Sequence, residues 1–362
     1  MDPQQILQFP HPGAPAAGAS LEIVPGLRWL RMPLPFALDH INLWLLQDGP
    51  GWTIVDCGIG TELTKGLWEQ IFAAYPAGET SGARAPQAFQ ATRVLVTHYH
   101  PDHAGLAHWL CERFGVTLWM SQAEYLTAHA IRENLAGYTP DNLLGMYRRN
   151  GLPDEDLNKM SLRGNRYRLA VPEFPQNYRR ILDGDEVRIG GRDWRVIMGY
   201  GHAPEHAALY SPGLGVLISG DMVLPKISTN ISVWSIDPDG NPLKQFLESL
   251  RRYAGLPSDT LVLPSHGLPF RGLRERVEQL EEHHRQHFEE LYEACERPLS
   301  AFEAIPSLFQ RELDTHQLFF AMGEAMAHLH CLYYQGSLKR QTGADGVIRY
   351  VRNAEFRKGV AT

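Results

Sequence analysis

The segment His98-Tyr99-His100-Pro101-Asp102-His103 places four potential metal ligands within six positions, directly after the short apolar run 94–97. On an extended chain His98 and His100 point the same way, and Asp102 and His103 turn with the chain toward a neighbouring point as it enters a helix. One loop can thus serve two metal ions. Further ligands close three later apolar runs: His202 in Gly201-His202-Ala203-Pro204-Glu205-His206, Asp221 in Ser219-Gly220-Asp221, and His266 in Ser265-His266-Gly267. Imidazole and carboxylate without thiolate suit Zn(II), with Fe(II) or Mn(II) as alternatives, and a carboxylate can bridge two cations through its separate oxygens. The four cysteines, Cys57, Cys111, Cys295 and Cys331, are widely spaced and form no CxxC pair. This argues against a thiolate cluster and suits a reduced, cytoplasmic setting.

The elements around these motifs follow from periodicity. Short strands are expected at 21–24, 27–32, 41–46 and 52–55, a helix at 63–75, a Gly/Ala/Pro-rich loop at 77–91, a strand at 94–97, a helix at 104–114 and a strand at 117–120. Later strands are expected at 186–189, 194–198, 207–211, 215–219 and 261–264, with a helix at 242–254 before the last. Residues 121–180 interrupt this pattern as a helical insertion, read either as a lid or as added core. Residues 1–20 are polar and Pro/Gly-rich and are expected to be a disordered tail, without the basic and apolar regions of a signal peptide. No apolar run approaches membrane-spanning length. At 362 residues, with 44% hydrophobic and 21% charged positions, the chain is long enough for a catalytic domain over 21–271 and a smaller unit over 272–362. In that unit, helices at 272–292, 300–309 and 315–332 and a hairpin of 338–341 with 347–351 suggest a winged helix.

The ordered ligands resemble the metallo-β-lactamase superfamily, whose HxHxDH motif matches His98, His100, Asp102 and His103 and whose later ligands match His202, Asp221 and His266. The resemblance covers roughly residues 21–267 and implies an α+β fold, an αβ/βα sandwich with two divalent metal ions at one edge. It assigns His98, His100 and His202 to one metal, Asp102, His103 and His266 to the other, and Asp221 between them. Asp56, in Val55-Asp56-Cys57-Gly58, matches the superfamily's Asp that supports the first metal loop. A closer resemblance is to hydroxyacylglutathione-hydrolase-like enzymes and to lactamase-like proteins with a carboxy-terminal winged helix. His100 stands where the flavin-diiron members carry Glu, and Asp221 stands where the commonest zinc β-lactamases carry Cys.

The resemblance implies a hydrolase in which two cations activate a shared water and stabilise a developing oxyanion, while catalytic Asp102 orients the nucleophile. Esters, thioesters and lactones of a small acyl group are the expected substrates, with Tyr147, Met146 and Lys226 as substrate-binding residues. Rival readings are a metal-dependent endoribonuclease, a mononuclear iron persulfide dioxygenase and a DNA-binding regulator. The net charge of −7, and a last helix with no Lys or Arg between Leu318 and Tyr334, disfavour nucleic acid as a partner. The terminal unit is therefore read as a packing or dimerisation surface, which leaves a homodimer open. His206 is expected to hydrogen-bond within its loop rather than bind metal. His283, His284 and His287 are expected to face solvent, and His328 and His330 to pack or lie at the surface. Cys57 is expected to be a small buried hydrophobe.

Overall fold

The computed structural model describes residues 7–74, 88–162 and 164–355. In chain order the first half comprises β1 (Ser20–Val24), β2 (Leu27–Pro33), β3 (His40–Asp48), β4 (Gly51–Val55), α1 (Glu62–Ala74), β5 (Ala91–Leu95), α2 (Pro101–Ala104), α3 (Ala107–Phe114) and β6 (Leu118–Met120). The insertion follows as α4 (Gln122–Arg132), a 3-10 turn (Ala136–Tyr138), α5 (Pro140–Arg149), α6 (Asp154–Ser161) and α7 (Arg166–Ala170). It ends in a strand, β7 (Tyr178–Arg180), too short to be legible in the sequence. The second half holds β8 (Glu186–Ile189), β9 (Arg192–Gly199), β10 (His206–Ser211), β11 (Val216–Gly220), α8 (Pro242–Ala254) and β12 (Leu261–Pro264). Last come α9 (Leu273–Ala294), α10 (Ala301–Leu308), α11 (Thr315–Tyr334) and the antiparallel pair β13 (Leu338–Thr342) and β14 (Ile348–Arg352).

Two sheets face each other. One runs β1 to β7 in sequence order and the other runs β12-β11-β10-β9-β8. The period-2 alternation of each strand divides its side chains between two layers. In β3, Ile41, Leu43 and Leu45 meet the helices α1 and α3, whereas Trp44 and Leu46 enter the space between the sheets. In the second sheet Trp194, Val196, Leu209 and Ile218 face that same space, while Ile197, Ala208 and Leu217 meet α8 and the carboxy-terminal helices. The result is the expected αβ/βα sandwich. Helix α8 shows how a layer is secured. Asn241 caps it, Pro242 opens it, and Leu243, Phe246, Leu250 and Tyr253 form one buried stripe.

Several expectations are corrected. Residues 7–20 are not a loose tail. Leu7 is buried, Gln8 bridges to Arg271 and Phe9 meets Phe270, so the segment crosses from the start of the first sheet to the start of α9. Residues 1–6, most of the loop expected at 77–91, and 356–362 lie outside the described residues. The helix expected over 104–114 is broken after Ala104. There Gly105 packs so tightly that an added Cβ would lie 2.4 Å from Gly60 N and 2.7 Å from Gly58 O. The terminal helices share one continuous core with the second sheet, in which Met326 and Leu329 of α11 join Tyr210 and Leu217. Among the described residues, no helix is long and apolar enough to cross a membrane.

Candidate metal centre

The seven residues expected as ligands converge between the carboxyl ends of strands from both sheets. His98, His100, Asp102 and His103 follow β5, His202 follows β9, Asp221 follows β11 and His266 follows β12. They separate into two clusters, His98, His100, His202 and Asp221 in one and Asp102, His103 and His266 in the other. In the first, His98 Nε2 stands 2.9 Å from His100 Nδ1 and 3.2 Å from His202 Nε2. In the second, His266 Nε2 and His103 Nε2 lie 3.4 and 3.7 Å from Asp102 Oδ2. Asp221 belongs to both: its Oδ2 is 3.4 Å from His202 Nε2, and its Oδ1 is 3.4 Å from His266 Nε2 and 3.5 Å from His103 Nε2.

These donors fit a pair of divalent cations. His103 Nε2 and Asp221 Oδ1 are buried without a hydrogen-bond partner among the described residues, an arrangement that a bound cation would satisfy. The electrostatics agree. Burial, reinforced by the neighbouring imidazoles, holds His98 well below the usual histidine range and His100 at about 3, so both present free lone pairs. Burial alone would raise Asp221, but His266 and His103 pull it well below the usual carboxylate range. Burial lowers His266, but Asp221 and Asp102 outweigh it and raise the ring to about 10, drawing onto it the positive charge that a bound cation would otherwise supply.

A second layer of contacts fixes the donors. Asp56 Oδ2 accepts from His103 Nδ1 at 2.8 Å, and Asp56 also accepts from the Thr97 backbone N–H at 2.8 Å and from the Thr97 hydroxyl. It thereby holds both the ring and the strand end. His202 Nδ1 donates to Asn230 O at 2.8 Å and His266 Nδ1 to His40 O at 2.7 Å, which turns each Nε2 toward the centre. His206 stays outside the clusters, and its Nε2 accepts from Asp221 N–H at 3.1 Å. Gly220 is required beside it: φ is +52°, and a Cβ there would lie 2.2 Å from His206 Nε2. Glu124, buried at the start of α4, accepts from the backbone N–H groups of Tyr99 and Glu205 at 2.8 and 2.6 Å. Thr97, Asn230, His40 and Glu124 were not legible as site residues. Two of them act through backbone carbonyls, which leave no residue signature. Only the polarity of Thr97 at the end of an apolar strand hinted at a role.

The expected substrate residues fare differently. Met146 and Tyr147 are 1% and 2% exposed, packed in the core, and the Tyr147 hydroxyl donates to Phe319 O. Helix α5 packs against α6, and Tyr147 meets Phe319 of α11, so both side chains are taken up by the core. Lys226 is exposed on the loop after Asp221. A cavity of about 460 Å³ does open beside His202, but its walls are Tyr99, Leu126, Ala130, Tyr138, Val233, Trp234 and Ile236 among others. The insertion therefore contributes through α4 and the 3-10 turn rather than through α5. Cys57 is buried, and burial pushes its thiol well up, consistent with an inert packing residue. The expectation for α9 is overturned at His284, which is fully buried and whose Nδ1 lies 3.1 Å from His328 Nε2. Its position four residues after Leu280 puts it on the helix's buried stripe.

Residues 37–266 match the sequence profile of the "Metallo-beta-lactamase superfamily", and residues 288–353 match "Metallo-beta-lactamase-like, C-terminal domain". A beta-lactamase domain protein from Burkholderia ambifaria, of known crystal structure, is 49% identical, with a TM-score of 0.88 over 98% of this chain and 100% of that one. The probable metallo-hydrolase YqjP of Bacillus subtilis is 26% identical over 84% of this chain and 91% of its own length. A hydroxyacylglutathione hydrolase of Cereibacter sphaeroides is 25% identical over 63% of this chain and 66% of its own length.

Proposed function

Since the chain belongs to the metallo-beta-lactamase superfamily, we propose that it is a binuclear metal-dependent hydrolase of ester, thioester or lactone bonds in small acyl substrates. The observation that carries this reading is Asp221, whose two oxygens face two separate imidazole clusters. A pair of divalent cations bound there, Zn(II) first, supplies a water of lowered pKa and an electrophile for the substrate carbonyl oxygen. The chain's own residues do the rest. His98, His100 and His202 hold one side and Asp102, His103 and His266 the other, and Asp56 keeps His103 in one tautomer. Asp102, the partly exposed carboxylate of the set, orients the attacking water and carries its proton toward the leaving group.

The apolar walls of the cavity beside His202 suit an acyl chain, and the hydroxyacylglutathione hydrolases among the relatives favour a thioester or related carbonyl. Phosphodiester cleavage in RNA draws no support from the terminal hairpin, because the basic residues of β13 and β14 are engaged. Arg340 pairs with Asp239, Arg349 with Asp345, Arg352 with Glu293 and Lys339 with Glu355.

The test is elemental analysis of the purified enzyme together with turnover of chromogenic esters, thioesters, lactones and a labelled RNA. Two metal equivalents with carbonyl hydrolysis abolished by chelation support the reading. A single iron with oxygen consumption on a persulfide, or RNA cleavage alone, sinks it.

A further inference from the structure

Helices α9 and α11 meet through a second group of imidazoles, remote in sequence from the catalytic ligands. His283, His284 and His287 lie on α9, and Glu324 and His328 lie one turn apart on α11. One donor atom from each of His287, Glu324 and His328 falls within 4.8 Å of the other two. The ring centroids of His287 and His283 stand 4.2 Å apart, and those of His287 and His328 stand 5.3 Å apart.

Three observations distinguish this group from ordinary packing. First, His287 Nδ1 is buried with no hydrogen-bond partner among the described residues, the condition also met by His103 Nε2 in the catalytic centre. Second, His328 Nδ1 donates to the Glu324 carbonyl oxygen at 2.9 Å, which fixes the tautomer and leaves its Nε2 lone pair toward the group. That Nε2 lies 3.1 Å from His284 Nδ1, a separation between those of the catalytic pairs at 2.9 and 3.2 Å. Third, the Glu324 carboxyl has no cationic partner among the described residues, and its hydrogen bond is to the neutral Asn230 Nδ2 at 3.1 Å. Two imidazoles beside this carboxyl, with His287 and Glu324 partly open to solvent, make a donor set with an entry path.

We propose that His287, Glu324 and His328 form a third metal site, for a divalent cation of the Zn(II) type. Two imidazoles and one carboxylate leave a fourth position for water or for His284. The site adjoins the catalytic cluster, because Asn230 links the Glu324 carboxylate to His202 Nδ1 through its side chain and carbonyl oxygen. A plain imidazole hydrogen bond between His284 and His328 is the competing account, and it predicts no cation.

The deciding experiment is equilibrium dialysis of the metal-free full-length chain against micromolar Zn(II), with the bound metal counted by elemental analysis. Wild type is expected to hold one equivalent more than His287→Ala, whose side chain is partly exposed and whose folding is checked by circular dichroism. Glu324→Gln keeps an acceptor for Asn230 but loses the charge, and it should bind the extra equivalent at least tenfold more weakly. Equal stoichiometry in wild type and His287→Ala overturns the proposal, as does an extra equivalent indifferent to both substitutions. Failure of the catalytic reading shows elsewhere, in the count for Asp221→Ala.

Discussion

Asp56 sits at φ 61°, a left-handed conformation that costs a non-glycine residue about 1–3 kcal/mol. Its carboxylate offsets that cost by binding Thr97 and His103 together, so the strain is tied to the metal loop. Asp56→Asn keeps the shape but loses the charge behind His103. Metal affinity or turnover should fall about 10–100-fold, measured by metal titration and by rate on the best carbonyl substrate. Asp221→Ala should cost more than His202→Ala, because one carboxylate then leaves both clusters, and metal content beside turnover checks this. An Asp221→Ala protein with two metals and native rates would refute the binuclear assignment. At this scale the seven clustered donors were legible because four follow one apolar run within six positions and the other three each close a later one. His284 was misread because its charged neighbours Glu282 and Arg285 masked the stripe of Leu273, Val277 and Leu280 that it continues.

Among the elements, most strands and helices were legible because the two kinds of period differ, and the doubly buried strands were bounded by turns. The insertion was harder, since Met146 and Tyr147 on α5 have the same apolar character as Leu126 on α4 and Tyr138 beyond it. Only packing sorts them: α5 packs against α6, while α4 faces the cavity beside His202. Leu126→Ala and Trp234→Ala should therefore shift the preferred acyl length toward longer chains with metal content unchanged. A methylene in such a pocket is worth about 1–3 kcal/mol, so ratios across a homologous series should move about tenfold or more. An unchanged chain-length profile would make this cavity a bystander. Between the sheets, Trp194 is buried against strands of the sandwich, and Trp194→Ala should lower unfolding stability by about 3–5 kcal/mol in a denaturant titration.

For the whole molecule, charge bears on what the terminal unit can bind. From Arg276 onward there are 10 Lys and Arg against 13 Asp and Glu, and the basic residues on β13 and β14 are held in ion pairs. The face of α11 that a recognition helix would present is buried from Ala321 to Leu332. Duplex DNA and single-stranded RNA should show no measurable binding at physiological salt in a fluorescence titration. Tight binding that weakens steeply with salt, and is lost in Arg349→Ala with Arg352→Ala, would reverse this conclusion. The sequence alone carried the charge argument. It could not show that the terminal helices share a core with the second sheet, because that contact joins residues far apart in the chain.

The clustered donors come from both sheets, with four after β5 and three after β9, β11 and β12. A cation held by either cluster would therefore act as a rivet across the seam of the sandwich, and the unfolded chain, with its donors scattered over nearly 170 positions from His98 to His266, offers it no comparable site. Heat resistance then becomes a gauge of metal supply. At a free metal concentration 100 times the dissociation constant, one such ion adds about 2.7 kcal/mol, so the melting temperature should climb with metal in wild type and climb less in Asp221→Ala.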